Sequence, residues 1–455
     1  MWKMACFALL VLAAAPRTCA SDRYVNAQTG NDANDGSSPA TPFRTLQKAV
    51  SVLSPGETCH VAPGIYPERV HVTRSGAFGS PIHLKAEGPG VVVHGFTVEN
   101  ARYVAVEGFE ITLPRRASLD ADVAGTGVAL IDTHGCEIRN CYIHHTLREG
   151  VMLRAEAAED SLDSSYNLVA GNRIEYAGGY AGITVSGAFQ TIQGNDISHS
   201  VQNPLYPTPS TANGSDADGI KFCGQGLTIR GNYIHDISPV ETGNVDPHID
   251  ALQTYGPARN ILIEDNHINL STSQGETQAA MIEHSVTTVQ NITIRYNVVT
   301  AYRGFNIWGL DRDTNPLLPI YGVIIANNTF YGVKDYDFEL HDCPDAIARN
   351  NAISASGRYM WFNFNPSIGN NAVPGRLTLH AGDIRIGDPR FVNPAARDFH
   401  LEDDSPLIDQ GSPVGCNADF GGAYVPQGLG PDIGAFEHPG TASLATFQLP
   451  FPCIP

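Results

Sequence analysis

Three scarcities bound this 455-residue sequence before any motif is read. Cations are few: 28 Lys and Arg stand against 47 Asp and Glu, a net charge of −19, and such a field excludes a nonspecific grip on nucleic acid. Long apolar runs are fewer still. The one candidate, Ala5 to Ala15, follows Lys3 and leads to small residues around Thr18 and Ala20. It is too short for a membrane span and reads as an export signal over residues 1–20, cleaved after Ala20. Removing Lys3 and Arg17 takes the charge from −19 to −21. The expected product is secreted or periplasmic, a monomer with no membrane insertion. Cysteines number nine, and Cys6 and Cys19 leave with the signal. The remaining Cys59, Cys136, Cys141, Cys223, Cys343, Cys416 and Cys453 are odd in number and scattered, so they give neither a disulfide framework nor a zinc spacing. Most should be buried small hydrophobes.

What is abundant is a repeated phrase. "VAVEGFEI" ends at Ile111, "CEIRNCYI" at Ile143, "NLVAGNRI" at Ile174, "QTIQGNDI" at Ile197 and "GLTIRGNYI" at Ile234. "NILIEDNHI", "NITIRYNVV", "GVIIANNTF" and "AIARNNAI" continue it to Ile353. One slot in the phrase holds Phe109, Cys141, Asn172, Asn195, Asn232, Asn266, Asn297, Asn328 and Asn351, at spacings of 32, 31, 23, 37, 34, 31, 31 and 23 residues. Alternating β-branched residues make short strands, and a recurring Asn suits a turn that tolerates left-handed backbone and stacks its amides from coil to coil. A chain of about 435 residues built this way is all-β, a parallel β-helix solenoid that grows along one axis. A β-sandwich would not keep one Asn slot through seven coils. Removing one amide, as in Asn232→Ala or Asn266→Ala, should cost on the order of 1 kcal/mol.

The ends read as caps. "PFRTLQKAVSVLSPGE" carries helical spacing at Leu46, Ala49, Val50 and Leu53, which suits a short N-terminal capping helix. The stretch from "DFHLEDDSPLIDQGSP" to "GPDIGAFE" reads as a looser last coil, so the solenoid with its caps spans residues 21–437, with a polar tail over 438–455. "YVNAQTGNDANDGSSPATPFRTLQKAV", "VAPGIYPERV", "SGAFGSPIHLKAEG" and the closing "DSPLIDQGSP" with "DIGAFE" resemble secreted bacterial right-handed parallel β-helix proteins. That group includes pectate lyases, alginate lyases and chondroitinase B, and mannuronan C5-epimerases share the fold. The resemblance covers nearly the whole mature chain, yet such a scaffold hosts several chemistries.

A second strand in each coil locates the chemistry. "REGVML", "YAGITV", "ADGIKF", "IDALQT" and "YRGFNI" can be laid over one another, with Val151, Ile183, Ile220, Leu252 and Phe305 pointing inward. On the outer face one column then reads Glu149, Ala181, Asp218, Asp250, Arg303, and the next reads Met152, Thr184, Lys221, Gln253, Asn306. Two residues upstream, Asp216 and His248 become lateral neighbours. The register of "QAAMIEHS" stays open, with Glu283 or His284 as candidates for the same face. Stacked acids repel unless a cation intervenes, and an oxygen-rich cluster of Asp216, Asp218, Asp250 and Asp246 suits Ca2+. The bland alternative is a solvated face balanced by Lys221 and Arg303.

Uronate polysaccharides fit this equipment best. Abstracting the C5 proton beside a carboxylate needs that carboxylate neutralised and a base in reach. Here His248, Lys221 and Arg303 are the catalytic candidates, while Gln253, Asn306 and Trp308 would bind substrate. His248 is the better base, since its ordinary pKa of about 6.5 leaves it mostly neutral at pH 7. The acids around Lys221 hold it protonated. The resemblance supports this in part: an Asp-Gly strand of calcium-dependent pectate lyases is similar to "ADGIKF", which implies a ligand role for Asp218. Lys221 stands where a further Asp would be expected. In the chondroitinase B and alginate lyase group, spaced acids precede a catalytic Lys, similar to Asp216, Asp218 and Lys221, although the spacing here is shorter. Mannuronan epimerases carry an Asp-Pro-His that Asp246, Pro247 and His248 reproduce. A lyase acting on an acidic polysaccharide is therefore the first expectation. A C5-epimerase, a glycoside hydrolase and a non-catalytic glycan-binding solenoid are the alternatives. For a hydrolase, Asp218 and Asp250 stand somewhat close and lack an evident apolar pocket. Tyr255 and Trp361 are further candidate stacking platforms, and the repeated His144, His145, His199 and His235 read as a turn stack.

Overall fold

The computed structural model describes residues 22–113, 123–201, 216–238, 248–271, 277–283, 288–309, 319–353, 359–362, 367–374, 380–415 and 418–440. The expected signal over 1–20, Asp246, Pro247, His284, Cys416, Cys453 and the tail beyond 440 lie outside them. Thirty-one described strands join one continuous wrap, and every pairing within it is parallel. Each coil contributes up to three short strands, and each strand pairs with its counterpart one coil on. The terminal apolar residue of the phrase lines up from coil to coil: Ile111, Ile143, Ile174, Ile197, Ile234, Ile268, Val299 and Phe330 are successive partners. All are buried, and they form one side of an unbroken core along the axis. That continuity lets a chain of this length fold without splitting into separate cores.

The Asn slot is an amide ladder. Nδ2 of Asn172 donates to Oδ1 of Asn195, and the same bond repeats from Asn195 to Asn232, Asn266, Asn297, Asn328, Asn351 and Asn371 at 2.9–3.0 Å. The left-handed residue is the one before the ladder Asn: Gly171, Gly194, Gly231, Asp265, Tyr296, Asn327, Asn350 and Asn370 all have φ between 52° and 65°. Turn geometry and amide stacking are thus divided between neighbours. The spacing argument had given both to Asn.

This geometry raises the cost of losing one amide. Asn266 Nδ2 reaches Ile229 O, Glu264 O and Asn297 Oδ1, while its own oxygen accepts from Asn232 N and Nδ2. Asn266→Ala strands several buried groups at once, so urea unfolding should show a loss of about 3 kcal/mol instead of about 1. A change below 1 kcal/mol would mean the ladder relaxes around the gap.

Asp265, in the turn before it, behaves differently. Burial, and then the neighbouring charge of Glu264, push its carboxyl up to about 7 from an ordinary value near 3.8. The folded chain then binds a proton there that the unfolded chain has released, so stability falls as pH rises from about 4 to about 7. Asp265→Asn keeps a residue tolerant of φ 57° and removes the charge. It should stabilise the protein by about 1–2 kcal/mol at pH 8, allowing for partial screening, and by almost nothing at pH 4. Equal effects at both pH values in thermal unfolding would contradict this.

The ends close the solenoid. A helix, Leu46–Val50, buries Leu46, Ala49 and Val50, with the Thr45 hydroxyl accepting from Lys48 N. Glu68 takes the free Leu46 and Gln47 N–H groups. The C-terminal stretch does not add a simple last coil. It folds back along the turn column, where Asn327 Nδ2 reaches Asp432 O, Asn350 Nδ2 reaches Ser412 O and Thr329 Oγ1 accepts from Ala435 N. Leu407, Ile433, Ala435 and Phe436 bury there against Val298, Ala352 and Ala372. His438, the first residue of the expected tail, is buried in this contact. Cys59, Cys136, Cys141, Cys223 and Cys343 are buried free thiols.

Candidate functional site

The site begins with a break in strand alternation. A Cβ on Gly219 would lie 2.6 Å from Ile234 Cγ2, so this position faces the core. Its neighbour Ile220 is in the core too, and Ala251 with Leu252 and Ala279 with Ala280 repeat the doubled inward pair. Two successive inward residues put positions three apart on the same outer face, which is how Asp218 and Lys221 come to share it. Gly127, Gly150 and Gly182 occupy the same corner, where an added Cβ would meet the core at 2.5–2.7 Å. Small residues here are a steric requirement of the bend.

The columns read from sequence hold. Ala181 pairs with Asp218, Thr184 with Lys221, and Lys221 with Gln253. Asp216 and His248 form a bridge, as their lateral placement implied. The open register of "QAAMIEHS" resolves with Gln278 between Asp250 and Arg303, Met281 between Gln253 and Asn306, and Glu283 beside Trp308. The signal for it was there, since Asp250-Ala-Leu-Gln253, Gln278-Ala-Ala-Met281 and Arg303-Gly-Phe-Asn306 share one pattern of polar, small, apolar and outward residue.

Burial departs from expectation. These residues face away from the core, yet Asp218 and Asp250 are wholly inaccessible, and Gln253 and Asn306 are buried. Asp218 Oδ1 accepts from Asp250 N at 2.9 Å. Among the described residues, Asp218 Oδ2, Asp250 Oδ1, Gln253 Oε1 and Asn306 Oδ1 have no hydrogen-bond partner. Burial, and then the charge of Asp216, raise the Asp218 carboxyl well above the usual range. Burial, and then the charges of Asp218, Asp216 and Glu283, do the same to Asp250. The apolar surroundings judged missing for a hydrolase acid are therefore present in another form.

Lys221 ion-pairs with Asp216, lies 4.0 Å from Asp218 Oδ2 and sits 5.7 Å from the centre of the Tyr180 ring. Burial alone would weaken its hold on a proton, but the charges of Asp218 and Asp216 outweigh it and raise its pKa. It is an ammonium at neutral pH. His248 Nδ1 lies 3.2 Å from Asp250 Oδ2 and 3.9 Å from Asp216 Oδ1, with two-fifths of its side chain exposed. Asp218, His248 and Asp250 bring one donor atom each within 4.8 Å of one another and could hold a metal ion. The ligand set read from sequence was Asp216, Asp218, Asp250 and Asp246, of which this group contains Asp218 and Asp250. Asp216 is drawn to Lys221, His248 takes its place in the group, and Asp246 lies outside the described residues. Two buried carboxylates, each with an oxygen that takes no hydrogen bond from the described residues, fit a cation on physical grounds.

Farther along the face, Arg303 stands two rungs from Asp250, about 10 Å. It is paired with Asp335 at 3.2 Å, so it does not join the acid cluster. Asn306 Nδ2 donates to Gln278 Oε1, which also accepts from the Tyr336 hydroxyl. Trp308 packs against His341 with ring centres 4.7 Å apart, and His341 Nε2 is 2.9 Å from Glu339 Oε1. Gln278 was missed although its pattern marked it, and Asp335, Glu339 and His341 were missed because nothing local marks them as facing the same side. Tyr255, half-buried, spends its hydroxyl on Val185 O, and the side chain of Trp361 lies outside what is described. Of the His residues read as a turn stack, His145 and His199 lie face to face with Tyr176 at 4.9 Å steps, whereas His144 and His235 sit in strands, stacked on Tyr142 and Tyr233.

Residues 95–318 match the family model described as "Right handed beta helix region". The chain is a right-handed parallel β-helix. Residues 28–74, over the N-terminal cap, match a model described as "Protein of unknown function (DUF1565)". Among solved structures the β-helix is similar to pectate lyase Pel9A, with 18% identity, a TM-score of 0.55, and 91% of this chain and 96% of that one covered. It is also similar to XylC solved with xylose, with 13% identity, a TM-score of 0.55, and coverage of 91% and 98%. The PL6 family polysaccharide lyase Pedsa3628 from Pseudopedobacter saltans aligns at 12% identity and a TM-score of 0.49, over 79% of this chain and 95% of that one. At these identities the likeness is one of fold. No curated protein matches the sequence. No helix among the described residues is long and apolar enough to cross a membrane.

Proposed function

We propose that this β-helix is an exported lyase that cleaves a uronate-containing polysaccharide by removing the C5 proton and eliminating across C4. One observation carries the reading: an ammonium and an imidazole converge on two wholly buried carboxylates, and Asp218 Oδ2 and Asp250 Oδ1 take no hydrogen bond from the described residues. Asp250 faces Nδ1 of His248 and orients the ring, leaving Nε2 to take the C5 proton. The electron pair becomes the C4–C5 double bond as the C4–O bond breaks. Lys221 gives its proton to the leaving oxygen. Asp218 and Asp250 are the groups that would hold a divalent cation, Ca2+ in this reading, with His248 outside its ligand set, since an Nδ1 that ligates would leave Nε2 protonated and unable to accept the C5 proton. Such an ion, when bound, offsets the substrate carboxylate and acidifies the C5 proton. Gln253 and Asn306 offer buried amide oxygens to sugar hydroxyls, Trp308 offers a ring face, and Arg303 lies within reach of a neighbouring uronate.

The same equipment runs an epimerase if Lys221 returns a proton to the opposite face of C5. A hydrolase is less well supported, because the Asp218 and Asp250 donor oxygens lie within 4.8 Å, below the roughly 5–9.5 Å that glycosidase carboxyl pairs keep. Incubation with alginate, pectate and glycosaminoglycans separates the readings. The lyase gives the ultraviolet band of an unsaturated uronate. C5 proton exchange by NMR without chain shortening would mean an epimerase, new reducing ends alone a hydrolase, and no product with retained binding a glycan-binding solenoid.

A further inference from the structure

On the turn that follows the site-bearing strands, five rings form a continuous chain. Phe78 meets Tyr103 edge-on at 6.1 Å, Tyr103 meets His134 at 5.6 Å, His134 meets Tyr166 at 5.4 Å, and Tyr166 stacks on Phe189 at 5.0 Å and 17°. Phe78 is 89% exposed, Tyr166 55% and Phe189 41%. Tyr103, Tyr166 and Phe189 hold φ of 53–56°, a costly conformation for bulky residues. The turn itself does not need them. One to four coils on, the same left-handed position is filled by Gly226, Asn260, Asn291 and Gly322. The rings therefore cost backbone energy and remain open to solvent.

The spacing is built, too. A Cβ on Gly135 would lie 2.8 Å from Tyr103 Cε1, and one on Gly226 would lie 2.5 Å from Phe189 Cδ1, so glycine is what lets each ring lie down against the next coil. Phe78, Tyr103, His134, Glu137 and Tyr166 line a cleft of about 470 Å3, a size that holds small ligands. Polar atoms edge it: His134 Nδ1 meets Ser165 Oγ at 2.9 Å, and Glu137 lies beside it. Ring faces rimmed by a few hydrogen-bonding groups match a pyranose, which presents apolar C–H faces and a belt of hydroxyls.

We propose that this strip is a second, non-catalytic binding surface for a polysaccharide chain, laid along the solenoid axis over the coils that precede the site. Its last ring lies on Gly226, just past the strand Asp218–Gln225 that carries Asp218 and Lys221, about 16 Å beyond Lys221 in the chain direction. The choice of a glycan as occupant rests on the carbohydrate reading above, while the surface itself acts independently of the catalytic step.

Native electrophoresis through gels containing alginate, pectate or xylan tests it, using the wild-type chain, a Tyr166→Ala/Phe189→Ala double variant, a Phe78→Ala variant and Asp218→Asn. Wild type and Asp218→Asn should be retarded by at least one polymer. The double variant should bind that polymer about tenfold more weakly, and Phe78→Ala should also weaken it. Turnover of di- and trisaccharide substrates should stay unchanged in the strip variants. Retardation without turnover on any polymer would remove the catalytic reading and leave the strip standing. Unchanged retardation in the double variant, no retardation of the wild type, or a dimer in sedimentation that the double variant abolishes would each overturn the strip.

Discussion

Alanine at position 248 is expected to lower turnover on the polymer that the protein processes by about 10²-fold or more, with little change in KM. His248 is the group near the buried pair that couples an acid-oriented Nδ1 to a side chain two-fifths exposed. Lys221 cannot compete for the role while Asp216 and Asp218 keep it protonated. Lys221→Ala should instead impair both kcat and KM, since it removes the proton donor and the counter-charge of Asp216 together. Added imidazole should restore part of the His248→Ala activity if the ring acts as base. Near-full activity in His248→Ala with none in Lys221→Ala would reverse the assignment and make the lysine the base. Loss of metal-linked stabilisation in His248→Ala, without imidazole rescue, would make the histidine a ligand.

Much of this site was legible because the solenoid translates sequence spacing into position. Once the Asn slot fixes where each coil begins, Asp218 must neighbour Asp250, and Asp216 must neighbour His248. What sequence could not show is burial. Asp218 and Asp250 sit on the outer face, so solvent exposure was the natural inference, yet both are sealed. The doubled inward pair that puts them there, Gly219-Ile220 and Ala251-Leu252, depends on the corner geometry and has no period of its own. The pairing of Arg303 with Asp335 escaped for the same kind of reason: the partner lies one coil on, in a stretch without the repeated phrase. The folded-back C-terminal segment rests on contacts more than 60 residues apart in sequence, beyond any local pattern. The aromatic strip was visible only as scattered Tyr and Phe, because its regularity lies in left-handed turns that propensity does not assign to such residues.

The buried pair also sets the expected behaviour of Asp218→Asn. In the metal-free protein, two adjacent buried carboxylates with too few donors are a standing electrostatic cost, which the raised proton affinity of each reports. An amide at 218 can still accept from Asp250 N through its oxygen, and it presents N–H groups toward the Asp250 carboxylate. The apo variant should therefore unfold at or above the wild-type temperature, which a merely solvated surface acid would not produce. With a cation present the order should invert. Ligand linkage adds about 2.7 kcal/mol to the wild type at roughly one hundred times Kd, a rise of a few degrees, and the variant should gain almost none of it. Scanning calorimetry with Ca2+, Mg2+, Mn2+ and Zn2+ in turn reads both halves. A larger rise with Zn2+ than with Ca2+ would assign the site to an ion that prefers imidazole among its ligands. If no ion raises the wild-type melting temperature, the buried pair works through a shared proton, and Lys221 with Arg303 must offset the substrate carboxylate without a metal.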